Sequence, residues 1–416
     1  MPLWLCAIAR EVKIIFMKCF LFILLMSLPA KATEFFEVHT NARALGMGGA
    51  FITLVDTEEA LFYNPAGIAR NGGVFWTIAD PKVGVSSLDP DDILGPFEDL
   101  EDQATFEAAL NELYGEPIWL GASAKTSIML PFFAAAYFYD LDASIIADNP
   151  VSPTLETNYI NDTGIAVGTG FTVGGILQMG FALKYITRTG VREKYGTQTI
   201  ADIIGGDDPS VIFDAFTETS GIGYSLDYGM NINLPGPVQP TISFVWKNIG
   251  DTSFRAAAGD PRPPSEPADM RVGASMLFDL PLVSIAPAIE IRQINQAGDE
   301  QIMKKVHMGV EIGLPIIDLR AGLHQGYYTA GVGVDLGLLQ LDAATWGVEL
   351  GGYPGQLESR RYMVQVSMRL GFDFGIGTNL SGDGTGAGAS ASGRTGSSSS
   401  RGGSGGSWFR GKKQRR

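Results

Sequence analysis

The side chains able to do chemistry are few. Histidine occurs only at 39, 307 and 324. No Gly-x-Ser-x-Gly elbow follows a strand, and no HExxH or paired-cysteine motif occurs. His307 shares a strand face with Lys305 and Glu311, which reads as a polar cluster on a wall rather than an acid–base pair. Lys184 with Arg188, and Glu290 with Arg292, also share faces and read as ion pairs holding strands in place. An outer-surface lipase would need a Ser–His pair, and none can be placed. Gly46-Met47-Gly48-Gly49 superficially suggests a phosphate loop. No strand precedes it and no Lys-Ser/Thr follows, so a compact glycine-rich segment is the better reading. The acidic run 89–102 lacks EF-hand spacing and reads as a solvated loop rather than a cation site. The expectation is no enzyme, no catalytic residue, no metal and no cofactor.

The elements that position these residues follow from composition and period. The chain has 416 residues, 45% hydrophobic and 18% charged, with 53 glycines. Only one apolar run, Phe20 to Ala30, approaches a helical span, and it is too short. Lys18, that run, Pro29 and Ala30-Lys31-Ala32 have the layout of a signal peptide cut after Ala32, with Met17 the better start. Cys6 and Cys19 both lie in this leader, so the processed chain is expected to carry no cysteine. Charge is uneven. Residues 1–32 hold four basic and one acidic side chain, and 375–416 hold seven and one, leaving 19 and 43 between them, net −24. Such a body repels nucleic acid, so no nucleic-acid partner is expected.

The body alternates with period two. In the last strand Tyr362, Val364, Val366, Met368, Leu370, Phe372 and Phe374 fall on one face, with Met363, Gln365, Ser367, Arg369, Gly371 and Asp373 opposite. A helix would scatter residues i and i+2 over different faces. Fourteen strands are predicted, at 72–86, 117–130, 132–147, 156–172, 175–192, 221–234, 239–250, 268–280, 282–294, 302–314, 316–324, 328–336, 338–350 and 361–374. Short and long connections alternate, as in an antiparallel transmembrane β-barrel with a trimmed rim and an elaborate one. A soluble β-sandwich would alternate too. Against it stand the Gly, Ser, Asn and charged residues on the polar face, and the aromatics at strand ends (Trp76, Trp119, Tyr137, Tyr139, Trp246, Trp346, Tyr362), read as interfacial girdles. The all-β barrel is expected at 72–374, after a separate segment at 33–71 and before a flexible Gly/Ser-rich basic tail at 375–416. The tail reads as a solubilising terminus, with a tether to a periplasmic partner as the sharper alternative.

The run ARALGMGGAF…DTEEALFYNPAGIAR resembles the N-terminal plug signature of the long-chain fatty-acid transporter (FadL-like) superfamily of outer-membrane barrels, which includes type IX secretion and conjugation-associated barrels. The likeness is carried by Gly46, Gly48, Gly49, Asn64, Pro65 and Ala66. Elsewhere it is one of architecture. It implies a monomeric barrel in the bacterial outer membrane, surrounded by lipid and stoppered by a hatch with a few short helices. Hydrophobic small molecules such as fatty acids would diffuse through it passively. The loops 193–220 and 251–267 would stand where the family has helical capture loops. Phe51, Phe62, Phe132, Phe138, Phe213 and Phe216 are the expected ligand contacts. Segment 132–147 lacks the Gly or Pro irregularity that family transporters use as a sideways exit, which counts against one there. That segment is apolar on both faces, so part of the lumen is expected to be greasy. The alternative on the same fold is a structural or secretion-associated barrel that holds protein partners without transporting.

Overall fold

A computed structural model describes residues 37–89, 114–148, 154–196, 219–258, 261–296, 301–373 and 379–380. The leader, most of the acidic run 89–102, loop residues 197–218 and all of the tail but Asn379–Leu380 lie outside the described residues.

The strands are β1 (Gly73–Ala79), β2 (Lys82–Val85), β3 (Ile118–Leu130), β4 (Phe133–Asp148), β5 (Thr154–Val173), β6 (Leu177–Gly196), β7 (Ser220–Asn233), β8 (Thr241–Lys247), β9 (Asp269–Ser275), β10 (Phe278–Asp279), β11 (Ser284–Ile291), β12 (Val306–Gly313), β13 (Ile317–His324), β14 (Tyr327–Asp335), β15 (Leu339–Glu349), β16 (Glu358–Asp373) and β17 (Asn379–Leu380). Both β1 and β2 pair with β16 on one side and β3 on the other, so they are two halves of one stave. Both β9 and β10 pair with β11 and form a second broken stave. Antiparallel pairing of each stave with its sequence neighbour closes a ring of fourteen. Residues β17 stand outside the ring and pair parallel with Thr172–Val173.

The departures from the predicted strands have local causes. Segment 72–86 breaks at Asp80–Pro81, because proline cannot donate to a ladder, and Asp80 turns inward to Lys125. Segment 268–280 breaks at Met276–Leu277, where Leu277 N–H donates to Val238 outside the ladder. Residues Ile302–Lys305 form a helical turn before β12. At the trimmed rim Gly174 and Gly175, at φ of 60° and 72°, reverse the chain between β5 and β6. Side chains there would oppose that backbone.

The two faces of the wall differ as the alternation demands. Trp76, Leu183, Tyr224 and Val364 are at least half exposed on the outside. Ser123, Lys125, Asp227, Asn231, Glu311 and Gln365 are buried on the inside. A closed ring leaves no unpaired edge, and its greasy exterior is the surface a bilayer requires. Among the described residues no helix is long and apolar enough to cross a membrane. Two aromatics depart from the girdle reading. Trp119 and Trp346 are buried and face inward, with ring centroids 5.6 Å apart in an edge-on pair. They share the parity of Gly121 and Ser123, and of Ala344 and Val348, which is the inward one.

The lumen holds the segment 37–72. Its helix α1 (Ala42–Gly46) is capped by the Asn41 side chain, which accepts from the Arg43 and Ala44 N–H groups. Gly48 and Gly49, at φ of 66° and 84°, end it. Two 3₁₀ turns follow, Glu58–Leu61 and Pro65–Arg70. Asn64 caps the second, and Pro65 occupies its first position, where no N–H is needed.

Candidate functional site in the lumen

The lumen has two levels. Toward the trimmed rim the inner segment fills it. Glycines on the wall make this fit possible. A Cβ at Gly180 would stand 2.3 Å from the Pro65 carbonyl, at Gly229 2.1 Å from Asn64 Oδ1, and at Gly309 2.2 Å from the Met47 carbonyl oxygen. The inner segment itself approaches as closely, since a Cβ at Gly48 would meet the Leu323 and Met308 carbonyl oxygens at 2.4 and 2.5 Å.

Polar contacts fasten the segment around most of the ring. Arg43 donates to Glu311 at 2.7 and 2.9 Å and to Asp56 at 3.0 Å. Glu311 also accepts from Arg320 at 2.9 Å, and Arg320 donates to Asp342 at 2.6 Å. Glu290 accepts the Phe51 and Ile52 N–H groups at 2.9 and 3.1 Å. His307 and His324 each place Nδ1 against the Gly48 carbonyl, at 2.8 and 3.2 Å. Asn64 donates to Asn231 at 2.7 Å, and Thr329 donates to the Gly46 carbonyl at 3.0 Å. Across the ring Arg369 and Thr77 both donate to Glu58 at 2.9 Å. Glu58, Glu59 and Asp80 bring three carboxylate oxygens within 4.8 Å of one another. The ammonium of Lys125 pairs with all three, so this is a filled ion-pair cluster. Burial alone would raise the Glu59 carboxyl, but Lys125 and His39 hold it well below the usual carboxylate range. The same holds for Glu37, which burial would raise and Arg271 and Arg292 hold down.

Above this level, toward the elaborate rim, lies a cavity of about 260 Å³. Tyr63, Gly49 and Leu45 of the inner segment border it from below. Trp119, Trp346, Val348 and Met363 give it an apolar wall, part of a buried cluster that includes Leu45. Trp119 lies over Gly84 and Gly121, and its Nε1 donates to Asp142 at 2.8 Å. Lys184, Lys247, Arg271 and Arg292 give it a polar wall.

Three of the expected ligand contacts come together, but in the packed level. Phe62 meets Phe138 edge-on at 5.2 Å, Phe51 meets Tyr63 edge-on at 5.1 Å, and all are buried in one core cluster. None of the three lines the cavity. Phe132 stands apart in the turn between β3 and β4, at φ 67° and 37% exposed. Phe213 and Phe216 lie outside the described residues. The greasy inner face expected of β4 exists as Ala134, Ala136 and Phe138, but the inner segment covers it. The β4 ladder to β5 runs through sixteen residues without a register break, so the wall is continuous there. The described part of 251–267 forms no helix. It folds back as bridges Thr252↔Glu266 and Ile222↔Arg255, with Phe254 buried under the Arg188 guanidinium at 4.5 Å. Lys184 pairs with Asp227 at 2.5 Å, and Arg188 with Asp162 and Glu266 at 2.7 Å each, as wall ion pairs. Sequence reasoning missed the cavity residues Trp119, Trp346 and Lys247. The parity of Trp119 with Lys125 and of Lys247 with Ser243 carried that signal.

No family model matches the chain, and no curated protein does. Among solved structures it is similar to the CymD monoaromatic hydrocarbon channel, at 11% identity over 81% of this chain and 99% of that one, with a TM-score of 0.47. It is similar to the Ralstonia pickettii toluene transporter TbuX, at 11% identity over 80% and 98%, with a TM-score of 0.42. A Pseudomonas aeruginosa FadL homologue aligns at 11% identity over 82% and 100%, with a TM-score of 0.34.

Proposed function

We propose that this chain is a FadL-like channel of the bacterial outer membrane that lets small hydrophobic molecules pass without energy input. Residues 33–71 act as its plug, after export directed by 1–32. The observation that carries the reading is the cavity inside a lipid-facing ring, walled on one side by Trp119, Trp346, Val348 and Met363. Burying apolar surface there contributes roughly 25 cal/mol per Å². The plug opens a path by local displacement. Wholesale ejection would break many buried ion pairs, at about 3–5 kcal/mol for each pair left half-made. The test is toluene uptake into vesicles with a lipopolysaccharide outer leaflet. Uptake faster than in protein-free vesicles supports the channel, and equal rates overturn it.

A second reading has its own support. The plug is bonded to strands around most of the ring, as suits a rigid scaffold whose loops and tail hold a partner. Under that reading removal of 375–416 abolishes capture of a periplasmic partner, and uptake stays at the protein-free rate.

A further inference from the structure

We infer that the cavity above the plug is a binding site for a compact aromatic carboxylate, with Lys247 as the group that selects the charge. The inference rests on the channel reading and narrows its substrate to an organic anion the size of benzoate.

Lys247 ends β8 with its side chain on the cavity lining and is 6% exposed. Its ammonium has no hydrogen bond or ion pair among the described residues. The charged groups that act on it are Arg271, Lys184, Glu37 and Asp227. Both carboxylates are already committed, Glu37 to Arg271 and Arg292, and Asp227 to Lys184. An ammonium in low dielectric without a counterion is costly, so a carboxylate brought by the ligand would supply what the wall lacks. Among the described residues that line the cavity, lysines and arginines outnumber carboxylates by eight to five. This excess stands inside a chain of net charge −15. The cavity is locally inverted against the molecule that holds it.

The far wall sets the rest of the ligand. β8 and β16 are seven staves apart in the ring of fourteen, so Lys247 and Met363 line the cavity from opposite sides of the ring, with Trp346 on the adjoining stave β15 and Trp119 on β3, one stave beyond β2. A ligand with its charge on Lys247 lays its apolar body on the indoles. Its size is limited twice. The volume of about 260 Å³ falls below the roughly 300–1,000 Å³ of sites for drug-sized ligands. Below, Leu45, Gly49 and Tyr63 close the floor against a long alkyl chain.

The test is a tryptophan-fluorescence titration of the full chain in detergent with benzoate, with benzyl alcohol as its neutral counterpart, and with octanoate. Benzoate is expected to bind at least about tenfold more tightly than benzyl alcohol, in line with a charge-assisted hydrogen bond, and more tightly than octanoate. Lys247→Met should erase the preference over benzyl alcohol and leave benzyl alcohol binding within about threefold. Lys247→Arg should retain the preference. Heat-shifted electrophoretic migration verifies that each variant folds. Equal affinity of the wild-type chain for benzoate and benzyl alcohol, tighter binding of octanoate, or an unchanged preference in folded Lys247→Met overturns the inference. Toluene uptake is read separately, so a benzoate failure with intact uptake leaves the channel reading standing.

Discussion

The two levels of the lumen are built from similar residues and do different things. In the lower level cations and carboxylates meet in closed sets, such as Arg43, Arg320, Glu311 and Asp342. Aromatic rings there touch only protein, as Phe62 does with Phe138. In the upper level the buried ammonium of Lys247 has no hydrogen-bond or ion-pair partner among the described residues, and the indoles of Trp119 and Trp346 border open space. Burial alone therefore does not mark a functional group. A buried charge whose partners are complete is structure. A buried charge whose partners are missing beside a cavity is a place for something else to bind.

The largest effect is expected from unseating the lower level. Gly309→Val would drive its side chain into the Met47 carbonyl, which is backbone and cannot step aside. The expected cost exceeds about 4 kcal/mol. Protease should then cut within 37–71 of the embedded chain while the wild type stays protected. Protection equal to wild type would mean that the segment does not approach the wall so closely. Next in size is Arg320→Met, which leaves the buried Asp342 without a cation and Glu311 with Arg43 alone. A loss of about 3–5 kcal/mol is expected in the urea unfolding midpoint. Phe62→Ala should cost about 3 kcal/mol by the cavity it leaves against Phe138.

The wall of this molecule is legible in its sequence because alternation is a local property. A stave of the ring stands within each of the fourteen segments that period two marks, though two of them break, and the polar face of β16 is the buried one at Gln365 and Ser367. Glycines and an Asn-Pro pair also marked the inner segment, because left-handed turns and a 3₁₀ start restrict residue choice locally. The partners of that segment were not legible. Arg43 meets Glu311 across 268 positions, and Phe51 N–H meets Glu290 across 239. Nothing in either neighbourhood encodes the other. For the same reason the expected phenylalanine contacts fell in the packed level. Hydrophobicity reports that a residue is buried, and only the closed ring decides whether protein or ligand covers it.

Acid acts on the ion pairs that hold the inner segment. Glu37 and Glu59 are held well below their ordinary values by their cationic partners. A depressed carboxyl stabilises the folded state fully above its unfolded pKa, and the stabilisation is lost as pH falls through the folded value. Unfolding midpoints should therefore be insensitive to these groups from pH 7 down to about 5, and should fall only below about 4. Glu59→Gln should be less stable at pH 7 and should show a shallower acid slope. A wild-type loss centred near pH 6 would contradict the sign of both shifts.

The smallest expected effect is the most discriminating. Lys247→Met is the same kind of change as Arg320→Met, a buried cation replaced by a thioether chain. In the lower level this removes a guanidinium that Glu311 shares with Arg43 and that is the cation of Asp342. In the upper level it removes a charge that has no partner among the described residues and replaces it with a side chain of similar length beside an apolar wall. The unliganded variant should therefore lie within about 1 kcal/mol of wild type, or slightly above it, because the desolvation cost of an unpaired ammonium is relieved. The check is the urea midpoint of both variants in the same detergent. A loss of 3 kcal/mol in Lys247→Met would show that Lys247 is held as Arg320 is, and the division of the lumen into a closed level and an open one would then fail.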